Sequence, residues 1–487
     1  MRKTLSIIAV LLLALSAQAQ ETTPVRNCRP QLTRNHFLMH PRRAQRRGQS
    51  ENPYIGDRRQ LVVLAAFRDR PFDGSESETI HKWNRILNEE NYYEAPYVGS
   101  VHDYFYEQSY GQFRLSFDIH YVVADSAKKY RSTNADDENS KYLVQDVVDS
   151  IRTRVGDWAQ YDWDGDGYVN QLMIIFAGYG MDNGGDYNSI WPHQLWLSEH
   201  KNCEPVAVTS GGKDYLIDSY CCTAETGFVI TGTFGTLCHE FSHCFDLPDL
   251  YNGSSSYLGY WDLMDNGNRS GDGFRPCGYS AYERMWMGWL EPVELTSDTV
   301  ITGIPALADS AKAFIIRNDG HPDEYYIVEN RQKKGWDAAL PGSGILVFHV
   351  DYDKNAFLLN NVNSRQLQRY LIIPANNAMI PVSLKTDIGD WVYPYNGNNE
   401  LTNTSTPAST LNNANKDGTF LMSKPITSMA VTDSLSSFSF SAIATGVKHV
   451  GAGQLRESWH SIDGRTIPGS PSAPGLYIHD GKLEMIR

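Results

Sequence analysis

The sequence predicts an α+β protein, with a mixed domain at residues 58–292 and a β-rich, sandwich-like domain at residues 293–444. Strand-like apolar runs alternate with helical patterns as far as about residue 292. Beyond Pro292, short strand-like runs follow one another with turn residues between them. The 487 residues are too many for one compact core, so two or three domains are expected.

Apolar periodicity predicts the elements of the first domain. The continuous apolar runs at residues 61–67 and 172–177 indicate buried strands, and the alternating run at residues 113–123 indicates a third strand. Helical spacing predicts helices at residues 101–110 and 141–155. These strands and helices alternate along the chain, which is typical of a mixed domain.

The second half of the chain is predicted to be mostly strands. Strand-like runs occupy residues 299–302, 313–316, 325–329 and 344–350. The tail, residues 445–487, is similar to short terminal modules of secreted Gram-negative proteins, which implies sorting to the outer membrane. A stabilising β-hairpin around the turn Asp463-Gly464 and the run at residues 475–478 is the alternative.

The amino terminus predicts export. Arg2 and Lys3 precede an apolar run at residues 5–15, and Ala17-Gln18-Ala19 is a small-residue cleavage pattern. Residues 1–19 are therefore predicted to be a signal peptide, and the protein to be secreted or displayed at the cell surface. The run is short for a membrane anchor, and no later stretch of the sequence is apolar and long enough to cross a bilayer.

Residues 20–57 are predicted to be a pro-segment. They are rich in Arg and Pro and contain the pairs Arg42-Arg43 and Arg46-Arg47, so they bury little and are easily cut. A flexible arm is the alternative.

Composition narrows the function classes. Hydrophobic residues make up 41% and charged residues 21% of the chain, as in ordinary globular proteins. The net charge of −14 argues against a nucleic-acid partner, and it leaves carboxylates available for calcium. Export allows disulfides among the seven cysteines, six of which lie between residues 203 and 277, but their pairing stays open.

The most informative segment contains His239, Glu240 and His243. Two histidines four residues apart project from one face of a helix and can grip one Zn²⁺ ion. Glu240 lies one step aside, where it can take a proton from a water. The apolar residues of the helix, namely Phe234, Leu237, Phe241 and Phe245, fall on the opposite side. A core helix with two hydrogen-bonded histidines is the alternative.

A zinc enzyme needs a third protein ligand and one open position. Asp249 lies six residues after His243, and Pro248 disfavours helix just before it, so the chain turns there. The turn can bring Asp249 back to the metal. Asp246 and the more distant Glu283 are competing candidates.

A second metal site is predicted in an acidic loop. Asp162, Asp164 and Asp166 alternate and are followed by Gly167, as in the first half of a calcium loop. The twelfth position is Met173 instead of Glu, so a complete EF-hand is excluded and a shortened Ca²⁺ loop is predicted. An acidic surface turn is the alternative.

Together these segments resemble the immune inhibitor A family of bacterial secreted metallopeptidases, relatives of the metzincins. The likeness covers roughly residues 58–400 and depends on several motifs in order. They are the opening strand at residues 61–68, the helix SVHDYFYEQSYGQ at residues 100–112, the acidic loop YDWDGDGYVN at residues 161–170, the zinc motif through Tyr251, GYWDLMDNG at residues 259–267 and the block at residues 324–351.

The resemblance implies a metzincin-like zinc protease domain with assigned residue roles. His239, His243 and Asp249 would be zinc ligands, and Glu240 the general base. Met264 would support the metal site from below; an ordinary core methionine is the alternative. Metzincins place Gly where this chain has Asp246, a residue that tolerates left-handed backbone better than most.

The expected function is therefore that of a secreted zinc endopeptidase, active as a monomer on protein or peptide substrates. The alternatives are a protease-like adhesion protein of weak activity and a zinc hydrolase of small or cell-wall peptides. A further hypothesis is that the thiolate of Cys28 caps the zinc in the precursor.

Overall fold

The computed structural model describes residues 52–131, 139–185, 189–383, 387–442, 459–461, 466–467, 470–471, 473–479 and 482–486. The chain divides into two compact units, Met1–Ile443 and Ala444–Arg487. The predicted signal peptide, most of the pro-segment with Cys28, and the turn Asp463-Gly464 lie outside the described residues and stay predictions.

A five-stranded sheet forms the base of the first unit, with strand order β2-β1-β4-β8-β5. Strands β1, β2, β4 and β8 are parallel, and β5 runs antiparallel along β8. A smaller sheet has the order β3-β7-β6. The strands are β1 (Gly56–Phe67), β2 (Phe113–Ala124), β3 (Tyr168–Val169), β4 (Leu172–Tyr179), β5 (His193–Trp196), β6 (Val206–Ser210), β7 (Lys213–Ile217) and β8 (Ser219–Thr226).

The four α-helices described between residues 76 and 242 pack against this sheet through their apolar faces. In the helix at residues 140–151, for example, Leu143, Val144, Val147, Val148 and Ile151 are all buried. The α-helices of the described residues are α1 (Glu76–Asn88), α2 (Val101–Gln108), α3 (Ser140–Ile151), α4 (Phe234–Ser242), α5 (Ala281–Trp286) and α6 (Lys354–Leu358).

The downstream half is built mainly of strands, as predicted, although it also contains helix α6. One sheet has the order β14-β13-β12-β11-β9, and a second has the order β10-β16-β15. The strands are β9 (Val293–Glu294), β10 (Thr299–Ile304), β11 (Phe314–Arg317), β12 (Glu324–Arg331), β13 (Gly344–Asp351), β14 (Tyr370–Ile372), β15 (Ile426–Thr432) and β16 (Leu435–Phe440).

Strand β13 shows how this half packs. Leu346 and Phe348 belong to the core that also contains the five-stranded sheet, whereas Ile345 and Val347 belong to a second core with residues of β15 and β16. Successive side chains of a strand point to opposite faces, so one sheet serves two cores. Hydrophobic packing therefore crosses the predicted boundary at residue 292; the boundary itself stays a prediction.

The predicted elements correspond to observed ones. All the predicted strands and helices described above occur, with ends shifted by a few residues. Helix α1 was not predicted, although Ser75 and Glu78 form a capping box at its start, a pattern readable from sequence. The mixture of helices and sheets agrees with the α+β class, while the metzincin-like and sandwich-like details stay predictions.

The expectation of disulfides is not met among the described cysteines. No disulfide joins any two of Cys203, Cys221, Cys222, Cys238, Cys244 and Cys277, and all six are buried. Burial raises the pKa of the Cys221 and Cys238 thiols well above the ordinary value. Buried thiols of this kind behave as small apolar side chains.

The second unit is described through four strands, in the order β18-β17-β19-β20. They are β17 (Trp459–Ser461), β18 (Thr466–Ile467), β19 (Gly475–His479) and β20 (Lys482–Ile486). Across the described parts of the chain, every helix is too short or too polar to span a bilayer.

A buried ion-pair network ties the downstream sheet to the first core. Arg331, at the end of β12, donates two hydrogen bonds to the Asp337 carboxylate, at 2.8 and 2.9 Å. It also donates to Glu329 at 3.2 Å and to the carbonyl oxygens of Gly278 and Trp261 at 3.0 and 3.4 Å. The Arg331 side chain has no exposed surface, so these acceptors must replace water in stabilising its positive charge.

Arg331→Ala should lower the free energy of unfolding by about 3–5 kcal/mol, because it leaves two carboxylates buried without their cation. Chemical denaturation measures this loss. Arg114→Ala is the matched control, since that guanidinium lies 3.5 Å from Asp57 with both side chains more than half exposed, and it should cost less than about 1 kcal/mol. Equal losses in the two variants would contradict a structural role for the network.

Candidate metal centre and active site

The site is organised by helix α4 and the turn that follows it. His239 lies in α4, and His243 begins a 3-10 turn, His243–Phe245, that continues the helix. The opposite side packs in the core, where the ring of Phe241 lies 4.9 Å from that of Phe105 and 5.5 Å from that of Phe245. The predicted division of the helix into an apolar face and a histidine face is therefore observed.

Asp246 ends the turn in a left-handed conformation, with φ 62°. Its backbone N–H donates to the carbonyl oxygen of His243 at 3.0 Å. Asp is among the few non-glycine residues that enter this region readily. The residue that departs from the metzincin pattern thus makes the turn that redirects the chain toward Asp249.

The turn brings Asp249 against both histidines. Its Oδ1 lies 3.2 Å from Nε2 of His239 and 3.5 Å from Nε2 of His243. The three side chains are buried, and one ligand atom from each lies within 4.8 Å of the others. Two imidazole nitrogens and one carboxylate oxygen converging in this way form a donor set that suits zinc and leaves room for a water.

Backbone carbonyls orient both imidazoles. Nδ1 of His239 lies 2.8 Å from the carbonyl oxygen of Leu263, and Nδ1 of His243 lies 2.7 Å from that of Leu247. A carbonyl oxygen can only accept, so each Nδ1 donates a proton and each Nε2 faces the centre of the cluster. This is the usual arrangement behind a metal-bound histidine.

The electrostatics of the cluster favour a cation. Burial lowers the pKa of His239, but the hydrogen bond to Asp249 and the charges of Glu240 and Asp249 outweigh it and raise the pKa to about 9. Burial raises the pKa of Asp249, but hydrogen bonds to His239 and His243 hold that pKa well below its ordinary value. A divalent ion would take the place of the imidazole proton.

Glu240 lines a cleft that one member of the cluster, His239, also lines. Its side chain is almost fully buried, and it lines the cleft together with His239, Tyr251 and Trp191. The cleft encloses about 590 Å³, open solvent included. A carboxylate and a candidate metal ligand therefore face the same cleft.

The two competing third ligands lie elsewhere. Asp246 occupies the turn, and Glu283 caps helix α5, where its Oε2 accepts from the backbone N–H of Ser280 at 2.7 Å and from the Ser280 hydroxyl at 2.9 Å. Among the described residues, Asp249 is the one candidate grouped with both imidazoles. The geometry therefore favours Asp249.

Met264 lies in a turn beneath the cluster. Its side chain is fully buried, and its carbonyl oxygen accepts from the N–H of Leu250 at 2.9 Å. The preceding residue, Leu263, holds the ring of His239. The turn thus supports two parts of the site through its backbone; the role of the Met264 side chain stays a prediction.

Comparisons with known proteins agree with this geometry. Residues 75–289 match the model of the immune inhibitor A peptidase M6 catalytic domain. Over this region the chain is similar to the immune inhibitor A peptidases. One curated relative, "Immune inhibitor A" of Bacillus thuringiensis subsp. alesti, is 26% identical over 315 residues, which cover 52% of this chain and 44% of the relative.

The match supports assignment as a metallopeptidase, and the His239, His243 and Asp249 group lies inside the matched region. The chain spans less than half the length of that immune inhibitor A relative. The activity and substrates of this protein are therefore proposed below from its own residues.

The predicted calcium loop is also inside the matched region. The carboxylates of Asp162, Asp164 and Asp166 approach within 4.8 Å of one another. Asp162 accepts from the backbone N–H groups of Asp166 and Gly167, each at 3.0 Å. Nζ of Lys213 lies 3.9 Å from the same carboxylate.

Sequence reasoning included Tyr251 in the zinc motif without giving it a role, and it missed Asn360. The ring of Tyr251 lies 6.2 Å from that of His239, and its place two residues after Asp249 is a signal that could have indicated a role. Asn360 hydrogen-bonds Asp249 from 111 residues downstream. Nothing in its local sequence points to the site, because the contact is made by tertiary packing.

Asp249→Ala should weaken zinc binding by more than about 100-fold, beyond the range typical for residues that merely support a ligand. Competition with a chelating dye measures the affinity. Asp246→Asn is the matched control, because Asn also tolerates the left-handed turn and removes only the carboxylate; zinc affinity should be unchanged. A large loss in Asp246→Asn with none in Asp249→Ala would reverse the assignment.

Proposed function

We propose that the chain is a secreted, zinc-dependent endopeptidase that hydrolyses peptide bonds of extracellular proteins. The observation that carries this proposal is the convergence of His239, His243 and Asp249, with His239 and the adjacent Glu240 lining one cleft. The relation to the immune inhibitor A peptidases supports the reaction class. Export is supported by the signal-peptide pattern of residues 1–19.

The residues divide the chemical work. His239, His243 and Asp249 would hold the zinc, which when bound polarises the scissile carbonyl and makes a water more acidic. The Glu240 carboxylate would accept a proton from that water as the water oxygen bonds to the carbonyl carbon of the substrate. It would then return the proton to the amine nitrogen as the C–N bond breaks, so one residue would serve as base and acid.

Glu240→Gln should retain zinc and lose peptide cleavage by at least about 10²–10⁴-fold, because the amide cannot take a proton. A quenched fluorescent peptide measures cleavage, and metal analysis measures zinc. Glu204→Gln, at an exposed position away from the cleft, is the matched control and should cleave like the wild type. Unimpaired cleavage by Glu240→Gln would refute the mechanism.

Two alternatives remain distinguishable by substrate. An adhesion protein of weak activity would cleave neither casein nor gelatin at an appreciable rate, and a hydrolase of small or cell-wall peptides would cleave short peptides alone. An endopeptidase should cleave both proteins and be inhibited by phenanthroline, which removes zinc. The retained metal ligands and Glu240 favour the endopeptidase.

We also propose that it acts as a monomer.

We further propose that the acidic loop binds Ca²⁺. Burial raises the pKa of Asp162, and the nearby charges of Asp166 and Asp164 raise it further, although backbone hydrogen bonding from Gly167 opposes them. A bound cation would relieve this repulsion, and carboxylate oxygens are the ligands that calcium prefers. The loop directly precedes β3 of the smaller sheet and β4 of the five-stranded sheet, so an ion bound there would stabilise the start of both strands.

EGTA should lower the melting temperature, and added calcium should restore it. Calcium at 100 times its dissociation constant would stabilise the fold by about 2.7 kcal/mol. Differential scanning calorimetry measures the shift. Asp164→Asn should abolish the calcium effect, whereas Asp57→Asn, at an exposed carboxylate, should preserve it. A melting temperature insensitive to EGTA would dismiss the calcium site.

A further inference from the structure

We infer that Asn360 is a positioning residue for the metal centre, which holds the Asp249 carboxylate in the orientation needed to ligate the metal. This inference rests on the proposed zinc site. It adds a residue that lies outside both the region matched by the family model, residues 75–289, and the predicted protease domain, residues 58–292.

Asn360 contacts Asp249 at two points. The backbone N–H of Asp249 donates to Oδ1 of Asn360 at 2.6 Å, and Nδ2 of Asn360 donates to Oδ2 of Asp249 at 3.0 Å. One side-chain amide thus grips both the main chain and the side chain of the same residue. With Oδ2 engaged, Oδ1 is the oxygen turned toward the two imidazoles, at 3.2 and 3.5 Å.

The backbone around Asn360 fixes its amide in place. Helix α6 ends just before it, and Asn360 takes the left-handed conformation there, with φ 55°. Phe357, in the last turn of α6, is buried against the rings of Tyr282 and Tyr352, at 5.7 and 5.1 Å. The residue is therefore carried on an anchored turn, and its side chain is itself buried.

A second asparagine fastens the same two segments. Nδ2 of Asn363 donates to the carbonyl oxygen of Leu250 at 2.8 Å, and Nδ2 of Asn252 donates to the carbonyl oxygen of Asn363 at 2.9 Å. Oδ1 of Asn363 accepts from the N–H of Tyr370, the first residue of β14, at 3.0 Å. The segment that begins at Asp249 is thus attached to the downstream sheet by Asn363 as well as by Asn360.

These contacts assign a role to the downstream half of the chain. The histidines are oriented by carbonyls close to them in sequence or in the adjoining turn, whereas the carboxylate is oriented by a side chain 111 residues away. Partners that orient a metal ligand commonly contribute 10–100-fold to metal affinity. The metal centre is therefore completed by residues that follow the protease domain as the family model delimits it.

The test compares zinc affinity in Asn360→Gly and Asn377→Gly, each in the full chain. Asn377 is exposed and has φ 56°, so both substitutions place glycine at a left-handed position and have the same backbone effect. Competition with a chelating dye should show zinc binding about 10–100-fold weaker in Asn360→Gly and unchanged in Asn377→Gly. The metal-free melting temperature should be lower in Asn360→Gly, because that variant loses two buried hydrogen bonds. The deciding stability measurement is therefore the increase in melting temperature on adding zinc, which should be smaller in Asn360→Gly than in Asn377→Gly.

Zinc affinity in Asn360→Gly equal to that in Asn377→Gly would overturn the inference. If Asn360→Gly does not fold, Asn360→Asp replaces it, with Asn377→Asp as control. Aspartate keeps the shape and the acceptor for the Asp249 N–H but loses the donor to Oδ2, so the same weakening is expected and equal affinities would again overturn the inference. A wild-type protein without stoichiometric zinc would refute the proposed function, and with it this role of Asn360.

Discussion

The meeting of two imidazoles and one carboxylate in a buried site is the constraint on which the rest of the structure depends. Buried charges are costly unless they are paired and hydrogen-bonded. His239 and His243 each pair with Asp249. Each of the three side chains also makes a further hydrogen bond outside the cluster. Glu240 adds a second buried carboxylate next to His239, and both residues line the cleft. A site of this kind is most stable when it contains a cation.

The surrounding fold can be understood as the support for this cluster. Helix α4 packs through its aromatic face against the core that contains the central sheet. This packing fixes His239 in the helix and His243 in the turn that continues it. The turn containing Leu263 and Met264 closes beneath it and shares a backbone hydrogen bond with the segment after Asp249. The loop after α6 contacts the site through the hydrogen bonds between Asn360 and Asp249. Each of these supports comes from a different stretch of the chain, so the site forms only when the whole unit has folded.

The strands after residue 292 share their packing with the first half of the chain. Strands β12 and β13 present alternate side chains to two cores, and one of those cores contains helix α4. The buried guanidinium of Arg331 reaches the carbonyl oxygens of Trp261 and Gly278 in the first half. Stability and metal-site geometry are therefore shared across the predicted boundary at residue 292. The loop that carries Asn360 connects the downstream sheet to Asp249, so a loss of packing in that sheet would change the position of Asp249.

The sequence by itself determined what depends on local geometry. The helical repeat places His239 and His243 on one face, the alternation of apolar residues locates the strands, and the turn at Asp246 and Pro248 returns the chain toward the metal. These features follow from spacing and backbone preference, so they can be derived without knowing the fold. The tertiary structure decided which carboxylate joins the histidines, because Glu283 is used to cap α5 and Asp249 is not. It also decided that Asn360 hydrogen-bonds the Asp249 carboxylate, since contacts between residues 111 apart arise from packing that no local pattern encodes.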